Sequence, residues 1–184
     1  MKEIMEWVKD ILLAVVIAAV FLAFFKPIIV QQQSMEPNFH AGDYLITSRQ
    51  AYRLFGDPQR GDVIVFKSEL LDENEKPKNL IKRIIALPGE TIEIKGGEVY
   101  IDGQMLQEDY LPGEAISGEM DAVTVPEGQL FVMGDNRNHS ADSRYTQIGV
   151  FNTKYILGKV LLVVWPGREN TWQKRDFSRL GAVS

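Results

Sequence analysis

The chain divides by texture into one apolar run and a long remainder of short, alternating segments. Ile11 to Phe25 is fifteen consecutive apolar residues, closed by Lys26-Pro27. Such a run predicts an α-helix in apolar surroundings. A residue that precedes proline is pushed out of the α region, so the helix is expected to end near Lys26. At 1.5 Å per residue the run covers only about 22 Å, against roughly 30 Å of hydrocarbon core. Met5, Trp7 and Val8 on one side, with Lys9 and Lys26 snorkelling, make up the difference. Residues 1–10 are therefore read as a short leading segment and 11–26 as a transmembrane anchor. A cleaved export signal can have an apolar region this short, but Phe24-Phe25-Lys26-Pro27 stands where a small-x-small exit would be needed. Lys2 and Lys9 before the span and Lys26 after it code its orientation weakly.

From residue 43 the pattern is β. Tyr44–Thr47, Asp62–Phe66 and Leu80–Ala86 are short runs rich in β-branched residues between turn signals. Thr91–Lys95, Glu98–Ile101 and Gln104–Leu106 are separated by Gly96-Gly97 and Asp102-Gly103, two dipeptides that accept positive φ, and predict a three-strand meander. Val123–Val125, Gln129–Met133 and Tyr155–Val164 add further strands, with no convincing helix pattern after residue 56. The expected fold class is mainly β: an antiparallel β-sheet domain over 27–166, preceded by one transmembrane helix and followed by a basic tail, 167–184. The charged stretch Glu69–Asn79 and the stretch Gln104–Ala122, with five carboxylates and no Lys or Arg, are expected to be solvated, mobile loops. The tail carries four Lys/Arg against two acids, with Trp172, Phe177 and Leu180, and reads either as a membrane-surface segment or as a solvated end.

Composition narrows the chemistry. With 184 residues there is room for one membrane segment and one domain with a real core. A net charge of −5 advertises no nucleic-acid surface. The absence of Cys removes a thiol nucleophile, a cysteine metal site and any disulfide. Only His40 and His139 offer an imidazole, and no P-loop, His-Glu-x-x-His, Gly-x-Ser-x-Gly or Ser-x-x-Lys motif is present. No metal and no cofactor are expected.

What remains is a polar cluster and two upstream residues. Gly134-Asp-Asn-Arg-Asn-His-Ser-Ala-Asp-Ser-Arg144 follows the strand-like Gln129–Met133 and can build a web of charge-assisted hydrogen bonds. Ser34 lies nine residues past Phe25, so it stays within roughly 30 Å of the membrane even on an extended linker. Lys82 lies in the strand Leu80–Ala86, on one face with Leu80 and Ile84; Arg83 lies on the other with Ile81 and Ile85. Alternation does not choose between them, because both faces are apolar. A serine needs a base to become a nucleophile, and arginine stays protonated. Lysine serves only when neutral, which burial favours. On pattern alone Lys82 reads equally as an edge-strand charge.

Ser34-Met-Glu-Pro37, Arg60-Gly-Asp-Val63, Lys82-Arg-Ile84 and the 134–144 loop together resemble, in order, the conserved boxes of type I signal peptidases, in their short form. These are membrane-bound serine–lysine endopeptidases. The resemblance covers roughly residues 1–166 and implies removal of signal peptides from exported preproteins at small-x-small (Ala-x-Ala) sites. It implies Ser34 as nucleophile and Lys82 as general base, with Ser140 hydrogen-bonded to the Lys82 amine. It further implies an Asp142–Arg144 salt bridge, and Asp135 with Arg137 stiffening the loop. The Ser34 backbone N–H is implied as one oxyanion donor; relatives often carry Ser, Thr or Gly where this chain has Gln32, which leaves the second donor unassigned. Val30, Met35, Phe39, Leu80 and Ile81 are expected to wall the substrate pockets, with the peptide bound as an added strand. The expected setting is the cell membrane, with the β domain on the extracytoplasmic side, the expected partners being signal-peptide-bearing preproteins and the bilayer, and the enzyme a monomer. A Ser34–His139 dyad, a soluble self-cleaving repressor and a tethered β module that only binds are the rival readings.

Overall fold

The structure, a computed structural model, describes residues 2–54, 56–111, 113–168 and 174–183. Helix α1 spans Lys2–Phe24, and within it Ile4–Phe24 is long and apolar enough to cross a membrane, with none of that window buried against the rest of the chain. Those 21 residues cover about 32 Å, enough for a hydrocarbon core. The helix thus starts well before residue 11 and stops two residues short of Lys26. The early end has a cause in β pairing. Strand β1, Phe25–Ile29, runs antiparallel to β2, Tyr44–Ser48, with Phe25 opposite Ser48 and Lys26 opposite Thr47. The ladder claims Phe25 and Lys26 before the proline rule takes effect.

The remaining chain is antiparallel β throughout, as the alternation predicts. The strands are β3 (Val63–Leu71), β4 (Pro77–Ala86), β5 (Thr91–Lys95), β6 (Glu98–Ile101), β7 (Gln104–Met105), β8 (Met120–Thr124), β9 (Gln129–Met133), β10 (Phe151–Asn152), β11 (Ile156–Trp165) and β12 (Gly181–Ala182); the described residues add a short α-helix, α2 (Ala51–Leu54), and three single-turn 3-10 helices. One sheet runs β1-β2-β11-β3-β4-β9-β10, with β12 added to β11; a second runs β7-β6-β5-β8. The meander turns are built as expected. Gly96 and Gly97 have φ of 59° and 85°, and Asp102 and Gly103 have 51° and 78°, the pair of positive values that a type I′ turn demands.

Strand β4 is the structural centre. It lies between β3 and β9, with Ile64 opposite Lys82 and Met133 opposite Arg83. Apolar clusters cover both of its faces: Leu80 and Ile84 pack with Ile64, Phe66, Val132 and Phe151, while Ile85 packs with Ile92, Val99, Phe131 and Met133. The third cluster, Val30, Met35, Phe39, Leu45, Val63, Val65, Val160 and Val163, lies under the loop that joins β1 to β2.

Three stretches differ from expectation, among them Gln104–Ala122, whose ends form β7 and β8 and whose Ile116 enters the core. Glu69–Asn79 is mostly the β3–β4 hairpin, with only its tip outside strands. The tail is docked: β12 pairs with Leu162 and Val163, Phe177 packs edge-on against Trp165 at 5.4 Å, and Arg179 reaches Asp43. Trp172 lies outside the described residues. Asp43 is fully buried and also accepts from the His40 and Gly167 amides. Among the described contacts, removing the arginine leaves this buried carboxylate with its two amide donors. Arg179→Ala should therefore cost roughly 3 kcal/mol or more in chemical denaturation of the detergent-solubilised chain; an unchanged midpoint would show that this ion pair contributes no stability.

Candidate active site

Three segments meet at the middle of β4. The first is the β1–β2 loop, where Met35 and Phe39 are sunk in the core and Val30 and Asp43 close the loop by a backbone hydrogen bond of 2.9 Å. That anchoring fixes Ser34 next to the buried Met35. The second is β4 itself, bearing Lys82 and Arg83. The third is the 134–144 loop, which starts beside Lys82 because β9 pairs with β4 up to Met133.

Lys82 Nζ donates to Ser34 Oγ at 2.6 Å and to the Ile81 carbonyl at 3.0 Å. Both side chains are buried, Lys82 to 1 % exposure. Burial disfavours the ammonium form and lowers the Lys82 pKa to about 8, aided by Arg144 and opposed by the charges of Asp142 and Asp135. At pH 7 a group of that pKa is neutral about one time in ten, by titration arithmetic, against roughly one in three thousand at the ordinary value. When neutral, the same contact lets the Ser34 hydroxyl donate to the amine lone pair.

The loop is held by charge. Asp142, fully buried, accepts from Arg144 Nε and Nη2 at 2.8 Å each and from the Gly134 amide at 3.0 Å, so the expected Asp142–Arg144 bridge is formed. Asp135 and Arg137, expected to stiffen the loop, each take a partner outside it. Asp135 takes the fork of Arg83, at 2.9 and 2.8 Å, because Arg83 points from β4 into the base of the loop. Arg137 turns the other way, to Glu108 and the Gly134 carbonyl. Ser140 is buried next to the site without a hydrogen bond among the described residues, so the expected bond to Lys82 is also absent. A Cβ on Gly134 would stand 2.2 Å from Ser140 Oγ and 2.3 Å from the Ser34 carbonyl; only glycine lets the three residues stack. Asn136 ties the loop to the nucleophile segment, its amide donating to the Ser34 carbonyl at 3.1 Å and its side chain to that of Gln33 at 3.1 Å.

Two clefts flank Ser34. One, of about 460 Å³, is lined by Val30, Leu80 and Ile81, with Ile28, Val65 and Leu157. The other reaches Lys82 and His139, and Gln32 borders both. Met35 and Phe39, expected as pocket walls, line neither; they belong to the core beneath. His139 is exposed and contacts Asn136, while the Ser34 hydroxyl is met by Lys82.

A family model for signal peptidase, peptidase S26, matches residues 4–165. The chain belongs to that family. A signal peptidase I of Bacillus licheniformis is 38% identical over 178 residues, covering 91% of this chain and 92% of its own. Signal peptidase I P of Bacillus subtilis subsp. natto is 36% identical over 90% and 91%, and a probable signal peptidase I-1 of Synechocystis is 42% identical over 88% and 84%.

For this family member, sequence reasoning missed the Arg83–Asp135 pair and the partners of Arg137. Tyr110, the single aromatic residue among the five carboxylates of the 104–122 stretch, was the available signal. The buried lysine also has a price in stability. Its lowered pKa means that folding is penalised fully below about pH 8 and that the penalty fades as pH rises toward the ordinary value. Lys82→Met should then be more stable than the parent at pH 7, on the order of 3 kcal/mol for about 2.5 pKa units, with the gain vanishing near pH 10.5. Urea titrations at pH 7 and pH 10 check this; a variant less stable at both would contradict it.

Proposed function

We propose that this chain cleaves signal peptides from exported preproteins, with Ser34 as nucleophile and Lys82 as general base. The observation that carries the reading is the 2.6 Å contact between Ser34 Oγ and a buried Lys82 of lowered pKa. Ser34 Oγ attacks the scissile carbonyl while neutral Lys82 takes its proton. The tetrahedral oxyanion is met by the Ser34 N–H, with the Gln32 side chain at the cleft rim as the second candidate donor. Collapse expels the mature protein's amine, which takes the proton from Lys82, and leaves the signal peptide as an ester on Ser34. Water, deprotonated by the same lysine, hydrolyses that ester and restores the serine. Ser140, buried beside Gly134 and the Ser34 carbonyl, is the hydroxyl available to hold the amine during these transfers. Asp142–Arg144 and Arg83–Asp135 keep the loop and strand in place.

The substrate would lie extended between residues 30–34 and 80–82. Val30, Leu80 and Ile81 would admit small side chains. Helix α1 would anchor the enzyme, with the β domain outside the cytoplasm. That places Ser34 near the surface from which an anchored signal peptide emerges.

The test is the purified chain in detergent with a preprotein bearing Ala-x-Ala, and N-terminal sequencing of the product. Cleavage after the second Ala is expected; Ser34→Ala, Lys82→Ala and Lys82→Arg should be inactive, the last because a guanidinium accepts no proton. His139→Ala should keep substantial activity. The kcat/KM profile should rise about tenfold per pH unit and level off above about pH 8, because each proton lost from Lys82 adds active enzyme. A rise centred near pH 6.5 and complete by about pH 8, as an ordinary imidazole base gives, would remove the role from Lys82.

A further inference from the structure

The stretch between β7 and β8 is not a bystander. Its Glu108 carboxylate accepts from both Arg137 terminal nitrogens at 2.6 Å each and from the Tyr110 hydroxyl. The Tyr110 ring lies over the Arg83 guanidinium, 4.0 Å from carbon to centroid. The Tyr110 carbonyl accepts from Asn38 Nδ2 at 2.8 Å, and Asn38 Nδ2 also reaches Asp135 at 2.8 Å. Further along, Ile116 enters the core and Asn138 bonds the backbone of Ala115 and Ser117. The stretch therefore grips the nucleophile loop, strand β4 and the 134–144 loop at once.

Two lines of contact lead from it to the reacting atoms. Glu108 orients Arg137, whose Nε donates to the Gly134 carbonyl at 3.1 Å. Gly134 in turn stands against the Ser34 carbonyl and Ser140 with no room for a methyl group. Tyr110 covers one face of Arg83, which is 2 % exposed and bound to Asp135, and Arg83 is the backbone neighbour of Lys82. A guanidinium stacked on a ring and forked on a carboxylate has little freedom. With the ring gone, water reaches that face and the fork loosens. A displacement of under 1 Å at β4 or Gly134 would lengthen the Ser34–Lys82 contact beyond productive range.

We infer that Glu108 and Tyr110 are positioning residues for signal-peptide cleavage, setting the Ser34–Lys82 distance through Arg137 and Arg83. The inference rests on the reading of Ser34 and Lys82 as the reacting pair.

The test uses the full chain in detergent, with Tyr110→Leu, Tyr110→Phe and Glu108→Gln compared with the parent, each shown folded by circular dichroism at the assay temperature. Two rates are read: kcat and KM on an Ala-x-Ala preprotein, and the rate at which a small serine-directed acylating probe labels Ser34. Tyr110→Leu and Glu108→Gln should lose about tenfold to a hundredfold in kcat with KM within about twofold, the size of effect seen for lost supporting contacts. Probe labelling should fall in parallel, since the probe needs the aligned pair but not the substrate cleft. Tyr110→Phe, which keeps the ring over Arg83, should recover most of the Tyr110→Leu loss. Folded variants with kcat within twofold of the parent, or a change confined to KM with labelling unaffected, would overturn the inference. Glu108→Gln, nearly isosteric and half-buried, decides the matter if Tyr110→Leu does not fold. Parallel Ser34→Ala and Lys82→Ala controls separate the two ideas: if these still cleave, the reading of the pair fails, whereas dead controls beside fully active Glu108 and Tyr110 variants fault the positioning role alone.

Discussion

An amine placed out of water beside a serine hydroxyl is an unfavourable thing to build, and the β domain is arranged so that it has no alternative. Lys82 sits in the middle of β4, with β3 and β9 hydrogen-bonded on either side and apolar clusters on both faces. A lysine on an edge strand would swing its ammonium to solvent. Here the side chain meets Ser34 and one backbone carbonyl. The desolvation that makes the amine a base is thus a consequence of where the strand lies in the sheet.

The charges around the site are balanced in a way that protects this effect. Asp142 and Asp135 both pull toward a protonated Lys82. An unpaired carboxylate about 6 Å away would stabilise an ammonium by on the order of 3 kcal/mol at an effective dielectric of 20, enough to restore an ordinary lysine pKa. Each of the two carboxylates instead carries an arginine in a two-point contact, Arg144 and Arg83 respectively. Of the two, Arg144 also acts on the amine's protonation, lowering the Lys82 pKa as well as holding the loop. Burying such pairs contributes little net stability, and it is the site chemistry that gains from them.

Much of this was legible in the sequence, for physical reasons that also explain the misses. Strands with period-two alternation and turns with Gly-Gly and Asp-Gly are local signals, and the meander from Thr91 to Met105 follows them closely. Helix α1 begins earlier than its uninterrupted apolar run because Glu6, Lys9 and Asp10 break the run without breaking the helix. Strand β1 stayed hidden since Phe25-Lys26-Pro27 reads as a helix exit until β2 is there to pair with it. Arg83 and Lys82 were indistinguishable by alternation because both faces of β4 are buried. The partners of Asp135 and Arg137 lie 52 and 29 residues away, at Arg83 and Glu108, and no local pattern announces a contact of that range.

The central claim is that burial lowers the Lys82 pKa far enough for a working fraction of the amine to be neutral near pH 7. Direct titration of the lysine side-chain amines by NMR, with Lys82→Met used to assign the Lys82 signal, measures this without substrate or turnover. A midpoint near 8 for Lys82 is the predicted result. A Lys82 midpoint at or above about 10 would contradict the account, because the amine would then be an ion pair partner and not a base.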